Sequence, residues 1–158
     1  MKQSVLFVCV GNICRSPTAE GVLRHHAMLA GLGDRIEIAS AGTGDWHVGE
    51  PPDRRAIAHA ARRGYDIAEQ RARQFSPEDF DRFDWILAMD RTVLRALESM
   101  RPRGHRGHLG LFLDVAPKLG VREVPDPYYG GLDGFERVLD LIEEANDSLL
   151  DKVRARLK

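Results

Sequence analysis

The residues VLFVCVGNICRSP, numbered 5–17, join an unbroken apolar run to a loop and then to the start of a helix. The run VLFVC (5–9) predicts a strand buried on both faces, because a strand with one wet face would alternate apolar and polar residues. Ser16 belongs to a residue type that caps helix N-termini, and we expect it to cap a helix that ends at Gly31 or Gly33. A buried strand that leads straight into a helix is the opening unit of an α/β fold.

The rest of the chain repeats this alternation of strand and helix. Further strands are predicted at 35–42, 84–90 and 108–115. Helices are predicted at 53–63, at 91–100, and over a C-terminal stripe formed by Phe135, Val138, Leu139, Ile142, Ala145, Leu149 and Val153. Strands separated by helices form parallel sheets with helices on both faces. We therefore expect one domain over residues 1–158, a three-layer α/β sandwich with a four-stranded parallel sheet.

The composition excludes several classes of protein. Of the 158 residues, 43% are apolar and 30% are charged, which is typical of a globular protein, and the net charge of -1 argues against a nucleic-acid partner. No apolar run approaches the roughly 20 residues of a membrane span, and the N-terminus lacks a cleavage site typical of a signal peptide. We expect a cytoplasmic protein with no membrane partner, whose two cysteines are reactive or buried rather than a structural disulfide.

The loop after the first strand has the composition of an anion site. In parallel α/β folds ligands bind beyond the carboxyl ends of strands, where backbone N–H groups and a helix N-terminus attract an oxyanion. Arg15 can add a two-pronged contact to phosphate oxygens. The remaining loop residues are expected to line this phosphate site: Val10, Gly11, Asn12, Ile13, Cys14 and Ser16.

Cys9 lies at the base of this loop, five positions before a cysteine and six before an arginine. The groups that bind phosphate also stabilise a thiolate, and a thiolate facing a bound phosphorus can attack it to form a phosphocysteine. Ser16 can then donate its hydroxyl to the sulfur as that intermediate breaks down. The alternative is that Cys9 is a small buried residue and Arg15 a solvated surface residue.

A phosphotransfer of this kind requires an acid to protonate the leaving oxygen. The candidate is Asp126 in VPDPYYGG (124–131), which follows the fourth predicted strand and therefore lies at the same edge of the sheet as Cys9. The alternative is an ordinary Asp-Pro turn.

Four motifs together resemble the low-molecular-weight protein tyrosine phosphatases. They are FVCVGNICRSPTAE (7–20), SAGTGDWHVGEPPD (40–53), DRFDWILAMD (81–90) and VPDPYYGG (124–131). The resemblance spans almost the whole chain, in order and with the family's spacing. It implies the four-stranded parallel sheet already predicted from the pattern.

The resemblance also implies roles for individual residues. Cys9 corresponds to the nucleophile, Arg15 to the phosphate clamp, and Asp126 to the general acid that later activates water. Asn12 corresponds to a loop residue in a left-handed conformation. Supporting hydrogen bonds are expected from Ser16 and Ser40, and walls of the substrate cleft from Trp46, Tyr128 and Tyr129. For the aromatic residues the alternative is packing in the core.

Two further expectations follow from the resemblance. The family often has a histidine that helps tether the loop asparagine, whereas this chain has Gln70 in AEQRARQ (68–74), which puts the rigidity of the loop in doubt. Cys14 corresponds to a cysteine that forms a reversible disulfide with the nucleophile under peroxide, and the alternative is a buried Cys14 that supports the loop.

The implied partners are phosphotyrosine proteins or small aryl phosphates, with inorganic phosphate as product. No cofactor and no metal are expected, and the chain is expected to be a monomer or a weak dimer. An arsenate-reductase-like redox enzyme would need a resolving cysteine pair downstream, and there is no cysteine after Cys14. A non-catalytic phosphate-binding module would not need Cys9 or Asp126. The six histidines show no spacing typical of a metal hydrolase and are expected at the surface.

Overall fold

The computed structural model describes residues 1–127 and 133–157, and a four-stranded parallel sheet lies at its centre. The strands, in chain order, are β1 Gln3–Cys9, β2 Ile36–Gly42, β3 Trp85–Ala88 and β4 His108–Leu111. Their spatial order is β2-β1-β3-β4, and every neighbouring pair is parallel. β1 therefore has a strand on each side, and its residues Val5–Val8 are all fully buried, which confirms the prediction from its apolar run.

Helices cover both faces of the sheet. The helices are α1 Arg15–Leu29, α2 Arg54–Arg62, α3 Asp79–Arg82, α4 Arg91–Met100 and α5 Gly134–Arg156. Val5 and Phe7 of β1 share one core cluster with α1, α2 and α5, whereas Leu6 and Val8 share the other with α3 and α4. Because side chains alternate along a strand, one apolar strand supplies both cores. The predicted three-layer sandwich is confirmed.

The predicted N-cap of α1 is wrong. Ser16 is the second residue of the helix, the cap position is occupied by Cys14, and no side chain caps this end. The Ser16 hydroxyl is instead 3.0 Å from the Cys9 sulfur and accepts a hydrogen bond from the Asn12 amide. The Ser16 hydroxyl therefore makes contacts with the side chains of Cys9 and Asn12 and does not cap the backbone of the helix.

The fourth predicted strand, 108–115, is correct only in its first half. β4 ends at Leu111, and Phe112–Val115 form a 3-10 turn. Phe112, Leu113 and Val115 all belong to one core cluster, with Phe112 packed edge-on against Phe7 at 5.0 Å between ring centroids. A strand would direct neighbouring side chains to opposite faces, so burial of Phe112 and Leu113 on the same side requires a helical turn.

Two smaller differences concern β3 and the segment that precedes it. β3 ends two residues earlier than the predicted strand 84–90, and the short helix α3 was not predicted.

Within residues 1–127 and 133–157, no helix combines the length and the apolar character needed to cross a membrane. The carboxyl ends of all four strands lie at one edge of the sheet, and β1 and β2 end there side by side, with Cys9 paired to Gly42.

Candidate active site

The loop after β1 borders a cavity of about 300 Å³ at this edge of the sheet. The cavity brings together Cys9, Arg15 and Asp126, although Asp126 is more than a hundred positions further along the chain. The other lining residues are Val10, Gly11, Ile13, Cys14, Trp46 and His47. The three residues that the predicted mechanism requires therefore line one cavity.

Two polar groups contact the sulfur of Cys9, which lines the cavity. The backbone N–H of Asn12 donates to Sγ at 3.2 Å, and the Ser16 hydroxyl oxygen lies 3.0 Å from it. Cys9 itself is buried. The Cys9 sulfur therefore has the Asn12 N–H and the Ser16 hydroxyl as hydrogen-bonding partners.

Asn12 holds the loop in its curved shape. Its φ of 58° makes it the only non-glycine residue with a positive φ among the described residues. Its Nδ2 donates to Ser16 Oγ at 2.8 Å and to Ser40 Oγ at 3.0 Å, and its Oδ1 accepts from the Arg73 N–H at 3.0 Å. A left-handed non-glycine residue costs of order 1–3 kcal/mol, and three hydrogen bonds around a buried side chain offset that cost.

Ser40 extends this network to α1. Its hydroxyl donates to Glu20 Oε1 at 2.7 Å, and the other oxygen of Glu20 pairs with Arg24 at 2.7 Å. Glu20 and Arg73 were not singled out from the sequence. Glu20 is buried and a buried carboxylate requires partners, but no pattern in the sequence shows that burial.

Arg15 is held in place before any phosphate binds. One of its guanidinium nitrogens, Nη1, donates to Asp90 Oδ2 at 2.8 Å and to the Val124 carbonyl at 3.0 Å. Burial by itself would lower the pKa of Arg15, but the Cys9 sulfur and the Asp90 carboxylate raise it above its ordinary value. Asp90 was missed from the sequence, although its place after the third strand put it at the ligand-binding edge.

Gln70 does not take the tethering position considered for it. Its Nε2 donates to the Pro17 carbonyl at 3.0 Å, and the structure as described shows no hydrogen bond between Gln70 and Asn12. The Asn12 side chain is instead held by Ser16, Ser40 and the Arg73 backbone. The hydrogen bonds that hold Asn12 therefore form without a contribution from the Gln70 side chain.

Cys14 is buried, lines the same cavity as Cys9 and is a free thiol in this structure. Burial, followed by the charges of Asp53 and Cys9, raises the pKa of Cys14 to about 12. Cys14 is therefore protonated at neutral pH. Its thiol cannot compete with Cys9 as a nucleophile toward phosphorus.

Aromatic and imidazole rings form the mouth of the cavity. Trp46 is 64% exposed, so the alternative that it packs in the core is wrong. His47 was not singled out for the site, and its Nδ1 lies 2.9 Å from Glu50 Oε2. Tyr128 and Tyr129 lie outside the described residues.

The histidines are less exposed than expected. Only His108 is exposed, and the other five are half-buried. Among residues 1–127 and 133–157, no group of three or more His, Cys, Asp or Glu side chains has an arrangement that could hold a metal ion.

A profile of the family described as low molecular weight phosphotyrosine protein phosphatase matches residues 4–158. The chain belongs to this family. It is 45% identical over 161 residues to the low molecular weight protein-tyrosine-phosphatase of Streptomyces coelicolor, with 100% of this chain and 98% of the relative covered. As a member of the low molecular weight phosphatases, the chain is an enzyme, a protein-tyrosine-phosphatase.

Solved structures of low molecular weight phosphatases share the fold. The crystal structure of YfkJ from Bacillus subtilis has a TM-score of 0.93 and 40% identity, covering 100% of this chain and 98% of its own. A protein tyrosine phosphatase from Entamoeba histolytica, crystallised with Hepes in its active site, has a TM-score of 0.93 and 36% identity, covering 99% and 100%.

Proposed function

We propose that this phosphatase hydrolyses phosphotyrosine, and small aryl phosphates, through a phosphocysteine on Cys9, with Arg15 as phosphate clamp and Asp126 as general acid and base. The observation that carries this proposal is the shared cavity lined by Cys9, Arg15 and Asp126. The backbone N–H groups of residues 10–16 and the N-terminus of α1 favour a bound dianion there.

In the first step the Cys9 thiolate attacks phosphorus. The S–P bond forms as the bond from phosphorus to the tyrosyl oxygen breaks, and the Asp126 carboxylic acid transfers its proton to that oxygen. Arg15 is already oriented by Asp90 and Val124 through Nη1, so its other nitrogens can donate to the equatorial oxygens without reorganising.

In the second step water attacks the phosphocysteine. The Asp126 carboxylate takes a proton from that water, the S–P bond breaks, and inorganic phosphate leaves. Ser16 and the Asn12 N–H stabilise the departing thiolate, which explains why both lie within hydrogen-bonding distance of the sulfur.

An aromatic substrate is favoured by the mouth of the cavity. Trp46 offers an exposed ring beside the phosphate loop, and aromatic rings stack on one another. By resemblance to the family we assign Tyr128 and Tyr129 to the same cleft. A cytoplasmic location and a monomeric or weakly dimeric state stay predictions.

The experiment that tests the proposal compares phosphotyrosine and phosphoserine peptides without added metal. We expect rapid turnover of phosphotyrosine by the wild type, no turnover by Cys9→Ser, and turnover slowed about 10²–10⁴-fold by Asp126→Ala. Asp151→Ala, which removes an exposed carboxylate from α5, is the matched control and should leave turnover unchanged. If the wild type binds the phosphotyrosine peptide and leaves it intact, the chain is a binding module and the proposal fails.

The second proposal concerns oxidation. Peroxide oxidises the Cys9 thiolate to a sulfenic acid and is itself reduced to hydroxide, which removes a negative charge that helps to raise the pKa of Cys14. The Cys14 sulfur then attacks the Cys9 sulfur, the S–O bond breaks, and hydroxide leaves and takes the Cys14 proton as water. Both cysteines are buried, free and part of one loop. We expect mass spectrometry after mild peroxide to show a disulfide that thiol reductants reverse, and Cys14→Ser to accumulate irreversibly oxidised Cys9. Sulfinic or sulfonic Cys9 as the sole product in the wild type would contradict this.

A further inference from the structure

Helix α2 connects the phosphate loop to the first turn of α5. At its N-terminus, the Asp53 N–H donates to the Ile13 carbonyl of the loop at 2.8 Å. The Asp53 carboxylate caps the helix by accepting from the Arg55 N–H at 2.8 Å, and it also receives the Arg55 guanidinium at 3.2 and 3.1 Å. The position of α2 is thereby tied to the loop that carries Cys9.

Three side chains from α2 and its C-terminal cap contact α5; they belong to Arg55, His59 and Arg63. His59 of α2 stacks on Phe135 of α5, with 5.3 Å between ring centroids and 6° between ring planes. Its Nδ1 is hydrogen-bonded to the Glu136 carboxylate, which also receives Arg63 Nη2 at 2.8 Å. Arg55 adds a cation–π contact to Phe135, with Cζ 5.1 Å from the ring centroid. We call His59, Phe135 and Glu136 the α2–α5 clamp.

The clamp carries a charge that strengthens it. The Arg63 guanidinium, and after it the His59 imidazole, hold the pKa of Glu136 below its ordinary value. Glu136 is therefore a carboxylate at neutral pH. A hydrogen bond from Nδ1 to a charged acceptor is about twice as strong as a neutral one and fixes the orientation of the imidazole ring.

Asp126 lies next to this clamp in the chain. The residue after it, Pro127, is buried and lines one small cavity together with His59 and Phe135. Gly134, the first residue of α5, is so close to Pro127 that an added Cβ would lie 3.5 Å from the Pro127 carbonyl oxygen. Because proline fixes its own φ and restricts the residue before it, packing at Pro127 limits where the Asp126 carboxyl group can point.

The upstream side of Asp126 has a separate anchor. The Val124 N–H donates to the Met89 carbonyl at 2.8 Å, and the Val124 carbonyl accepts from Arg15. Asp126 thus lies between a backbone anchor at Val124 and Pro127, which borders the same small cavity as His59 and Phe135 of the α2–α5 clamp.

We propose that His59 is a positioning residue for general acid catalysis, acting through Phe135 and Pro127 on the Asp126 carboxyl group. The proposal rests on the proposed function, in which Asp126 protonates the leaving oxygen. His59 does not touch the substrate, and it is the placement of the acid that it controls.

The test exploits the leaving group. Tyrosine is a weak acid with a pKa of about 10, so phosphotyrosine requires the proton from Asp126, whereas 4-nitrophenyl phosphate releases a far more acidic phenol. We expect His59→Ala to lower kcat/KM about tenfold for phosphotyrosine and less than about threefold for 4-nitrophenyl phosphate, as for a misplaced acid. His26→Ala is the matched control: its Nδ1 lies 3.2 Å from Asp147 Oδ1, further along α5. It should leave the ratio of the two kcat/KM values unchanged.

A double-mutant cycle decides whether His59 acts through Asp126. If it does, His59→Ala added to Asp126→Ala causes no further loss toward phosphotyrosine, because the acid is already absent. Equal losses on both substrates, or losses that multiply in the double variant, would overturn the proposal and leave the proposed function intact. If Asp126→Ala itself changes neither substrate, Asp126 is not the acid and both proposals fail.

Discussion

The phosphate loop and the segment that carries Asp126 border the same cavity, but they are held by different means. The loop is a run of consecutive residues whose polar groups close on one another and on β2, with Asn12 only 3% exposed at its centre. Asp126 is exposed; its neighbour Val124 is hydrogen-bonded to Met89, and its neighbour Pro127 borders a small cavity with His59. Cys9 and Arg15 are brought together by a few consecutive residues, although Arg73 and Asp90 support them from a distance, whereas Asp126 reaches the cavity only through the tertiary fold.

This difference has an energetic consequence. The hydrogen bonds of the loop are buried, so salt in the solvent screens them little. The α2–α5 clamp depends in part on an ion pair whose Glu136 side chain is 39% exposed, and solvent screens such a pair. Perturbing the loop should therefore damage chemistry more than perturbing the clamp.

The largest effect is expected at Arg15, the proposed phosphate-binding residue of the loop. Arg15→Lys keeps the charge but replaces a planar fork with a point charge, so we expect kcat/KM for phosphotyrosine to fall about 10²–10³-fold. Weaker inhibition by inorganic phosphate should accompany the loss. Arg122→Lys, which changes an exposed arginine paired with Asp114, is the control. A loss below about threefold would mean that the loop binds phosphate without Arg15.

A smaller effect is expected where β2 supports the loop from below. A Cβ at Gly42 would lie 2.6 Å from the Val10 carbonyl oxygen and 3.2 Å from Asn12 Cβ, so Gly42→Ala must displace the loop. We expect a loss of about 1–3 kcal/mol in the free energy of unfolding and a fall in kcat/KM of about tenfold or more.

Gly33→Ala is the matched control for this overpacking. A Cβ at Gly33 would lie 3.9 Å from its nearest neighbour, Met28 Cα, which is ordinary contact. Its urea unfolding curve and kcat/KM should match those of the wild type. If Gly42→Ala also matches the wild type, the loop is more deformable than its hydrogen bonds indicate.

The third prediction concerns the pH dependence of the ion pair that Glu136 forms in the α2–α5 clamp. The folded-state pKa of Glu136 is lowered, first by Arg63 and then by His59, so its pairing stabilises the fold above the ordinary carboxyl pKa. That stabilisation is lost as the pH falls through the lowered folded-state value. At pH 7 and low salt, we expect Glu136→Gln to lose about 0.5–1 kcal/mol, since the carboxylate is screened.

The measurement is urea unfolding of wild type and Glu136→Gln at a series of pH values, from pH 7 down to below the ordinary carboxyl pKa. Their difference should shrink as the pH falls and also as salt is added at pH 7. Glu98→Gln, at an exposed position of α4, should show no such dependence. A difference that persists under acid conditions would show that the amide disturbs packing rather than charge.

The smallest effect on catalysis is expected at Gln70. Because its amide donates to the Pro17 carbonyl and not to Asn12, Gln70→Ala should change kcat/KM by less than about twofold while costing about 1 kcal/mol of stability. Asn12→Ala is the comparison, and it should lose most of the activity. A large catalytic loss in Gln70→Ala would show that the Pro17 contact controls the loop after all.

Where sequence reasoning erred, tertiary contacts outweighed a local rule. Ser16 has the side chain of a helix cap, yet its hydroxyl serves the Cys9 sulfur and Asn12. Phe112 and Leu113 read as the end of a strand, yet burial of both on one side forces a turn. Asp90 and Glu20 went unnoticed because their partners, Arg15 and Ser40, are distant in sequence.

The sequence by itself determined the sheet, the order of its elements and the curved loop with Cys9 and Arg15, because apolar periodicity and turn-forming residues act over a few neighbouring positions. Only the tertiary structure decided that Asp126 borders the cavity of Cys9, and that α2 grips the first turn of α5 beside it. Contacts between residues a hundred positions apart depend on how whole layers pack, and no local pattern encodes that distance.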